Sequence, residues 1–265
     1  MLYMVVFAAV VPHPPLIIPS VGKDNVEKLQ KTQKALDILM REFEAQKPDT
    51  VIVFSPHGDV YPDAFTINTL PEYDLNFEDF GDFETRMKFS GDIGLINKFR
   101  ERVETTLPLI LKSEPVLDYG IGIPLFLLGQ NYKDFKIIPV NSSLLDFEQH
   151  IAFGEALKEA IFSDNKRVAI IASADLSHKL TKKAPAGFSP KAREFDKKVI
   201  QYLKQQKVDQ MLQFDNETLN DAQECGLRPI LMLLGVIKNM NYDFQVLSYE
   251  SPFGVGYLVG ECKFK

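Results

Sequence analysis

The stretch MVVFAAVVPHPP at residues 4–15 joins an unbroken apolar run to a histidine set among prolines. Such a run predicts a buried strand that ends just before His13. Two further stretches repeat the arrangement: TVIVFSPHG at residues 50–58 and RVAIIASADLSH at residues 167–178. In an open α/β sheet, groups at the carboxyl ends of the strands converge on one crevice, where ligands bind. We therefore expect His13, His57 and His178 to share one site.

The alternation of strand-like and helical segments predicts the fold class. Strands are expected at residues 4–11, 50–54, 65–70, 83–89, 135–140, 167–172, 244–249 and 255–262. Helices are expected at residues 23–46, 92–105, 123–128, 147–162, 190–205, 217–222 and 226–238, with Pro190 in a first turn that favours proline. This order indicates one α/β domain with a mostly parallel, mixed central sheet flanked by helices. The chain has 265 residues, 45% of them hydrophobic, which is enough to bury a large core.

Composition limits the classes of partner. The net charge is −6 and no long basic tract occurs, so a nucleic-acid partner is not expected. No apolar run reaches about 18 residues, which argues against a transmembrane helix. The N-terminal run is typical of a first strand rather than of a signal peptide, and the two cysteines, Cys225 and Cys262, do not make a disulfide framework. We therefore expect a cytoplasmic protein with no membrane partner.

A histidine at a buried strand end needs partners for its ring nitrogens, and a metal ion is one such partner. Two histidines and one carboxylate on one face of a metal form the facial triad of non-haem iron(II) oxygenases. Glu224 is a candidate carboxylate because it precedes the very apolar run at residues 230–234. A helix N-terminus would stabilise the same charge, so both interpretations stay open. The fourth histidine, His150, begins a helical pattern and is expected to be solvated or to cap that helix.

Five motifs in order resemble a known family. They are PHPPLIIP at residues 12–19, SPHG at 55–58, SADLSHKL at 173–180, AQECGLRP at 222–229 and FGVGY at 253–257. Together they are similar to the class III extradiol ring-cleavage dioxygenases, the LigB-type catalytic subunits. The resemblance is closer to the LigB-like domain that is joined to an AMMECR1 domain in AmmeMemoRadiSam systems, and more distant to Memo. It implies one LigB-like domain over residues 1–265, with no AMMECR1 domain.

The resemblance implies a function and a set of roles. The expected protein is a non-haem iron(II)-dependent extradiol dioxygenase that cleaves a catecholic or related aromatic substrate with O2. His13, His57 and Glu224 match the metal ligands, and His178 matches the catalytic acid/base histidine. Asp175 would orient the ring of His178, or cap a helix instead. Fe(II) is the expected metal, with Zn or Cu as the other options, and a homo-oligomer is expected.

Two departures from the family pattern open a second interpretation. Tyr119 stands where the family often has a histidine, and a phenol with an ordinary pKa of about 10 is a poor proton shuttle. Cys225 matches a cysteine in a similar Cys-Gly string of Memo, and its thiol would favour Zn or Cu alongside the histidines. The alternative is therefore a Memo-like metal, redox or peptide-binding protein without ring cleavage, acting with a radical-SAM or AMMECR1 partner.

Three smaller questions remain open in the sequence. Cys225 would equally serve as a small buried apolar residue. Any open metal site also permits a hydrolase in which a metal-bound water is the nucleophile, although no separate nucleophile motif supports this. The acidic aromatic stretch at residues 73–83 is interpreted as a lid or a dimer contact.

Overall fold

The computed structural model describes residues 4–265, which contain one mixed β-sheet with helices on both faces. Its strands are β1 (Val5–Val11), β2 (Thr50–Ser55), β3 (Phe65–Asn68), β4 (Glu72–Phe77), β5 (Asp82–Gly91), β6 (Leu109–Lys112), β7 (Lys136–Asn141), β8 (Val168–Ser173), β9 (Tyr242–Glu250) and β10 (Tyr257–Phe264). The helices are α1 (Pro19–Gly22), α2 (Gln30–Gln46), α3 (Ile93–Val103), α4 (Tyr119–Leu128), α5 (Phe147–Phe162), α6 (Ala192–Gln205), α7 (Val208–Met211), α8 (Asn216–Ala222) and α9 (Leu227–Val236). Three 3₁₀ turns accompany them, at Pro15–Ile17, Lys23–Leu29 and Glu78–Phe80.

The strand order places the predicted histidines after the carboxyl ends of neighbouring strands. The order is β4-β5-β7-β2-β8-β1-β10-β9; off this path β3 pairs with β7, and β6 pairs with β3. The neighbours β7, β2, β8 and β1 are all parallel, whereas β10 and β9 are antiparallel. In register, Val11 of β1 pairs with Ser173 of β8, and Phe54 of β2 pairs with Ala172. The carboxyl ends of β1, β2 and β8 therefore lie side by side. This arrangement confirms the predicted α/β architecture.

The apolar runs supply two cores, one on each face of the sheet. Successive side chains of a strand point to opposite faces. In β1, Val10 accordingly belongs to the core under α5 and α9, and Val11 to the core under α2 and α4. Within residues 4–265, no helix is long and apolar enough to cross a membrane.

Helices α5 and α9 cross with their backbones almost in contact. A Cβ atom built on Gly154 of α5 would lie 2.2 Å from the carbonyl oxygen of Met232, and one on Gly235 of α9 would lie 2.3 Å from that of Ile151. Glycine at both positions lets the two helices approach more closely than side chains would allow. This pair covers the sheet face that carries Val10 and Ile170, against which Phe153 and Leu157 of α5 are buried.

Several predicted elements differ from the observed ones. The stretch at residues 73–83 forms β4 and the start of β5, so it is part of the sheet rather than a free loop. Its apolar side chains alternate with exposed or half-exposed polar ones, a strand pattern that the acidic residues masked. The short strand β6 was also absent from the prediction. Helix α6 begins two residues after Pro190, which lies in the preceding turn.

His150 is buried, so its expected exposure to solvent was wrong. Its side chain is fully enclosed, and Nδ1 lies 2.9 Å from the carbonyl oxygen of Asp146. The ring also packs edge-on against Phe65, with ring centroids 4.9 Å apart. Burial lowers the pKa of His150 to about 4, so the ring is neutral. The helical pattern places His150 on the same face as Phe153, and that face turns towards the core.

Candidate metal centre

His13 follows β1 and is held by two groups. Its backbone N–H donates to Asp175 Oδ1 (3.0 Å), and its Nδ1 lies 2.8 Å from Ser173 Oγ. The Ser173 hydroxyl itself donates to the carbonyl oxygen of Gly120, so it accepts from Nδ1–H of His13. These hydrogen bonds assign the tautomer and leave a lone pair on Nε2, the form that ligates metals. Burial, with His178 nearby, lowers the pKa of His13 to about 3.

His57 follows β2 and faces the same point. Its Nε2 lies 2.9 Å from Nε2 of His13, with the two rings edge to face. Burial is the largest cause that lowers the pKa of His57 to about 3, and the neighbouring His13 adds to it. Both rings are therefore neutral and available as ligands.

A polar network fixes the backbone of His57. The carbonyl oxygen of His57 accepts from Asn141 Nδ2 (2.5 Å), and its N–H donates to Ser55 Oγ (3.1 Å). Asp118 accepts from both of these side chains, at 2.7 Å from Ser55 Oγ and 2.9 Å from Asn141 Nδ2. The same carboxylate caps helix α4 at Ile121 N. One acidic residue thus positions both the His57 turn and the helix that carries Tyr119.

Cys225 completes a group of three possible ligands. Its Sγ lies 3.5 Å from Nε2 of His13, and the ligand atoms of His13, His57 and Cys225 all lie within 4.8 Å of one another. The thiol is carried by the turn between α8 and α9. Burial raises the pKa of the Cys225 thiol well above its usual value, so the free thiol keeps its proton. A metal ion would have to displace that proton on binding.

Glu224 lies next to this group but is bound elsewhere. Its Oε2 accepts a hydrogen bond from the backbone N–H of Leu227 (2.6 Å) at the start of α9. The arrangement corresponds to the helix N-terminus interpretation of the sequence. Glu224 is not among the three residues whose ligand atoms cluster, so its role as a metal ligand stays a prediction. Sequence reasoning gave Cys225 only as an alternative ligand, and the structure places its sulfur beside the imidazoles.

His178 and Asp175 lie beside the two imidazoles. The positive form of His178 would disfavour protonation of both His13 and His57. Its Nδ1 is buried and has no hydrogen-bond partner within residues 4–265. Asp175 bonds the backbone of His13 rather than the ring of His178, and no helix follows it for it to cap. Burial raises the pKa of Asp175 to about 7.

Tyr119 closes the group on the side of α4. Its hydroxyl lies 2.9 Å from Nε2 of His57, and the two rings are stacked with centroids 4.3 Å apart. Burial raises the pKa of Tyr119 far above its usual value, and three nearby acidic groups raise it further. The phenol is therefore a hydrogen-bond donor at neutral pH. The arrangement brings three nitrogen or sulfur ligands together with a histidine, a carboxyl group and a phenol.

A second buried acid supports the loop that carries His178. Asp196 of α6 is fully buried and accepts from Ser177 N (2.9 Å) and from the Tyr249 hydroxyl (2.5 Å). Burial raises the pKa of Asp196 to about 6, against an unperturbed value of 3.8. The folded protein therefore holds this proton more tightly than the unfolded chain does. The contribution of the protonated Asp196 carboxyl group to the free energy of unfolding is largest below pH 3.8, and it is lost as the pH rises through 6.

Asp196→Asn is expected to remove this pH dependence. On lowering the pH from 7.5 to 5, the free energy of unfolding of the wild type should rise relative to that of the variant by about 1 kcal/mol. Urea denaturation of both proteins at both pH values measures the difference, and other titrating groups cancel. Tyr249→Phe removes a hydrogen bond that favours the carboxylate, so it should shift the dependence to higher pH. Parallel curves for the wild type and Asp196→Asn would contradict the expectation.

Comparison with known proteins identifies what this chain is similar to. A family profile described as "Catalytic LigB subunit of aromatic ring-opening dioxygenase" matches residues 7–260. Protein CA_C1420 of Clostridium acetobutylicum is 31% identical over 256 residues, which are 93% of this chain and 55% of that protein. A MEMO1 family protein of Methanosarcina acetivorans is 27% identical over 232 residues, 82% of each chain. The 3,4-dihydroxyphenylacetate 2,3-dioxygenase of Escherichia coli is 26% identical over 227 residues, 77% of this chain and 79% of that enzyme.

The likeness extends to a solved structure. The crystal structure of uncharacterized protein JW3007 from Escherichia coli K12 matches with a TM-score of 0.66, covering 97% of this chain and 99% of that chain. The two sequences are 16% identical, so this match concerns the fold alone. The chain spans about half (55%) of the length of the Clostridium acetobutylicum relative.

Proposed function

This chain belongs to the family of LigB catalytic subunits, and from that premise we propose that it is a Memo-like metal protein whose ligands are His13, His57 and Cys225. The observation that carries the proposal is the position of the Cys225 sulfur, 3.5 Å from Nε2 of His13, while Glu224 is bound to Leu227 N–H. Thiolate and imidazole together are the donor set of Zn and Cu rather than of a carboxylate-bound Fe(II) centre.

The residues present fit such a metal. Ser173 orients His13 so that the lone pair of Nε2 faces Nε2 of His57, and carboxylates or carbonyls commonly hold ligating histidines in the same way. When bound, copper would supply one-electron chemistry and zinc would supply a Lewis acid.

The neighbouring groups have roles of their own. Tyr119 donates a hydrogen bond into the site, and within residues 4–265 the buried Nδ1 of His178 has no hydrogen-bond partner, so it is available to a bound substrate. Asp175 fixes the turn that carries His13. These groups bind and orient a small polar substrate beside the ligands.

A second candidate is the non-haem iron(II) extradiol dioxygenase. The observation that favours it is the placement of His178 and Tyr119 against both imidazoles, together with a relative that is a ring-cleaving dioxygenase. In this candidate the Glu224 carboxylate replaces the thiol as ligand, which requires one of its oxygens to move towards the two imidazoles. The predicted substrate is then a catechol with O2. An AMMECR1 or radical-SAM partner and a homo-oligomeric state remain predictions for either candidate.

Cobalt substitution tests the proposal. Co(II) added to metal-free protein is expected to bind stoichiometrically and to give the intense near-ultraviolet absorption of a thiolate–cobalt bond. Bound cobalt without that absorption would contradict a cysteine ligand. Oxygen uptake by the iron-loaded protein with a panel of catechols would then support the dioxygenase, and no uptake across the panel would count against it.

A further inference from the structure

The free edge of the sheet lies beside a basic helix. Strand β9 ends the strand order and pairs with β10 alone among the described residues. Helix α6 runs antiparallel alongside it, because Asp196 near the start of α6 bonds Tyr249 whereas Gln206 beyond its end bonds the carbonyl oxygen of Tyr242. A groove lies between α6 and β9, at the Tyr249 end of the strand.

The backbone along this edge is open to a further strand. The Tyr242 carbonyl oxygen accepts from Gln206 Nε2 (2.7 Å). For residues 243–249, by contrast, the described part of the chain offers no backbone hydrogen bond beyond the ladder with β10. An unpaired row of N–H and C=O groups is a template for strand addition.

The walls of the groove combine apolar contact with unpaired positive charge. It has a volume of about 500 Å³ and is lined by Lys197, Ile200, Gln201, Lys204, Gln205 and Tyr249. The lining helix residues recur every three or four positions, so they form one face of α6. Lys198 forms an ion pair with Glu194, whereas within residues 4–265 no carboxylate lies within ion-pair distance of Lys197 or Lys204. Exposed Arg193 continues the same helix face.

The spacing of the first two of these cations is close to the side-chain repeat of an extended chain. A helix rises 1.5 Å per residue, which puts Arg193 and Lys197 about 6 Å apart along α6 and Lys197 and Lys204 about 10 Å apart. Side chains on one face of a strand recur every 6.6–6.8 Å or so. Glutamates at alternate positions of a strand added to β9 would therefore face Arg193 and Lys197 in turn, whereas Lys204 lies between one and two such repeats further along.

We propose that the groove between α6 and the edge of β9 binds an extended acidic polypeptide segment, which adds to the sheet as a further strand. Backbone hydrogen bonds supply affinity, and the lysines select acidic side chains. A second copy of the chain is a poorer occupant. Pairing of two β9 strands about a two-fold axis would bring the lysine-bearing faces of the two α6 helices together, and like charges repel. The net charge of −6 makes the positive groove a local exception that fits a specific contact.

Fluorescence anisotropy with synthetic peptides tests the proposal on the full chain as purified. The probe is a labelled peptide as long as β9 in which glutamate alternates with threonine and valine. It is expected to bind, and more weakly at high salt. The double variant Lys197→Glu/Lys204→Glu should bind the labelled peptide at least about tenfold more weakly than the wild type does. Lys182→Glu/Lys183→Glu, which makes the same change in charge on an exposed loop, should bind it like the wild type.

Two further measurements locate the contact. A peptide N-methylated at the alternate backbone nitrogens that would face β9 should lose binding, and hydrogen exchange should show new protection at residues 242–250 when the unmodified peptide is bound. Equal binding of a lysine-for-glutamate peptide, or of the N-methylated peptide, would overturn the proposal. Protection of residues 242–250 in a dimer of the protein alone would assign the edge to a second copy instead. None of these outcomes depends on the metal site.

Discussion

Cys225→Ser is expected to weaken metal binding by about a hundredfold or more, because removing a ligand should exceed the loss of a supporting hydrogen bond. Serine keeps the size of the side chain but replaces a soft thiolate with a hydroxyl that stays protonated at neutral pH. Glu224→Gln is expected to leave the affinity almost unchanged, since an amide oxygen still accepts from Leu227 N–H. Competition with a chelator of known zinc affinity measures both, and elemental analysis checks the stoichiometry.

The other cysteine supplies the matched control. Cys262 is buried in β10, away from the three-ligand group, so Cys262→Ala removes one thiol without touching the centre. Its metal content should equal that of the wild type. The opposite pattern, with loss of metal in Glu224→Gln and retention in Cys225→Ser, would contradict the histidine–cysteine site and favour the facial triad.

Gly154→Ala is expected to lower the free energy of unfolding by up to about 2 kcal/mol. The added methyl group would lie 2.2 Å from the Met232 carbonyl oxygen and 2.8 Å from Val236 N, so α5 and α9 must separate. Overpacking of this kind costs about 1–3 kcal/mol or more, and it outweighs the gain of about 1 kcal/mol that alanine brings to a helix. Urea denaturation monitored by circular dichroism measures the change.

Gly94→Ala is the control for helix propensity. Gly94 lies exposed in α3, and a methyl group there would have its nearest neighbour, Asp92 Oδ1, at an ordinary 3.7 Å. This variant should be as stable as the wild type or slightly more stable. If Gly154→Ala proved equally stable, the close approach of the two helices would not limit the packing of this face.

The fold was predictable wherever the apolar signal was continuous. Strands β1, β2 and β8 are buried on both faces, so their sequences are unbroken apolar runs that need no tertiary information to recognise. Strand β4 was not predicted because its outward positions, half of the strand, carry acidic and amide side chains. Strand β6 has only four residues, too few for a periodic pattern.

The sequence was sufficient to predict which strand ends carry the site. His13, His57 and His178 were grouped because they follow neighbouring strands; the structure brings the rings of His13 and His57 together and places His178 within electrostatic range of both. The choice between Glu224 and Cys225 was beyond the sequence, because adjacent residues in a turn point in different directions. Here Gln223 ends α8 in a left-handed conformation (φ 50°), and the Cys225 thiol two residues later lies against His13. The supporting role of Asp118 was also missed, since its partners lie on two other strands.

The span between the proposed ligands has a consequence for how the centre is made. His13 and Cys225 are 212 residues apart in the chain yet in direct contact. Contacts of such high sequence separation carry a large loop-closure entropy and form late in folding. During synthesis, His13 therefore cannot contact the Cys225 thiol until nearly the whole domain has left the ribosome. The nascent chain can close this centre only after most of its core is assembled.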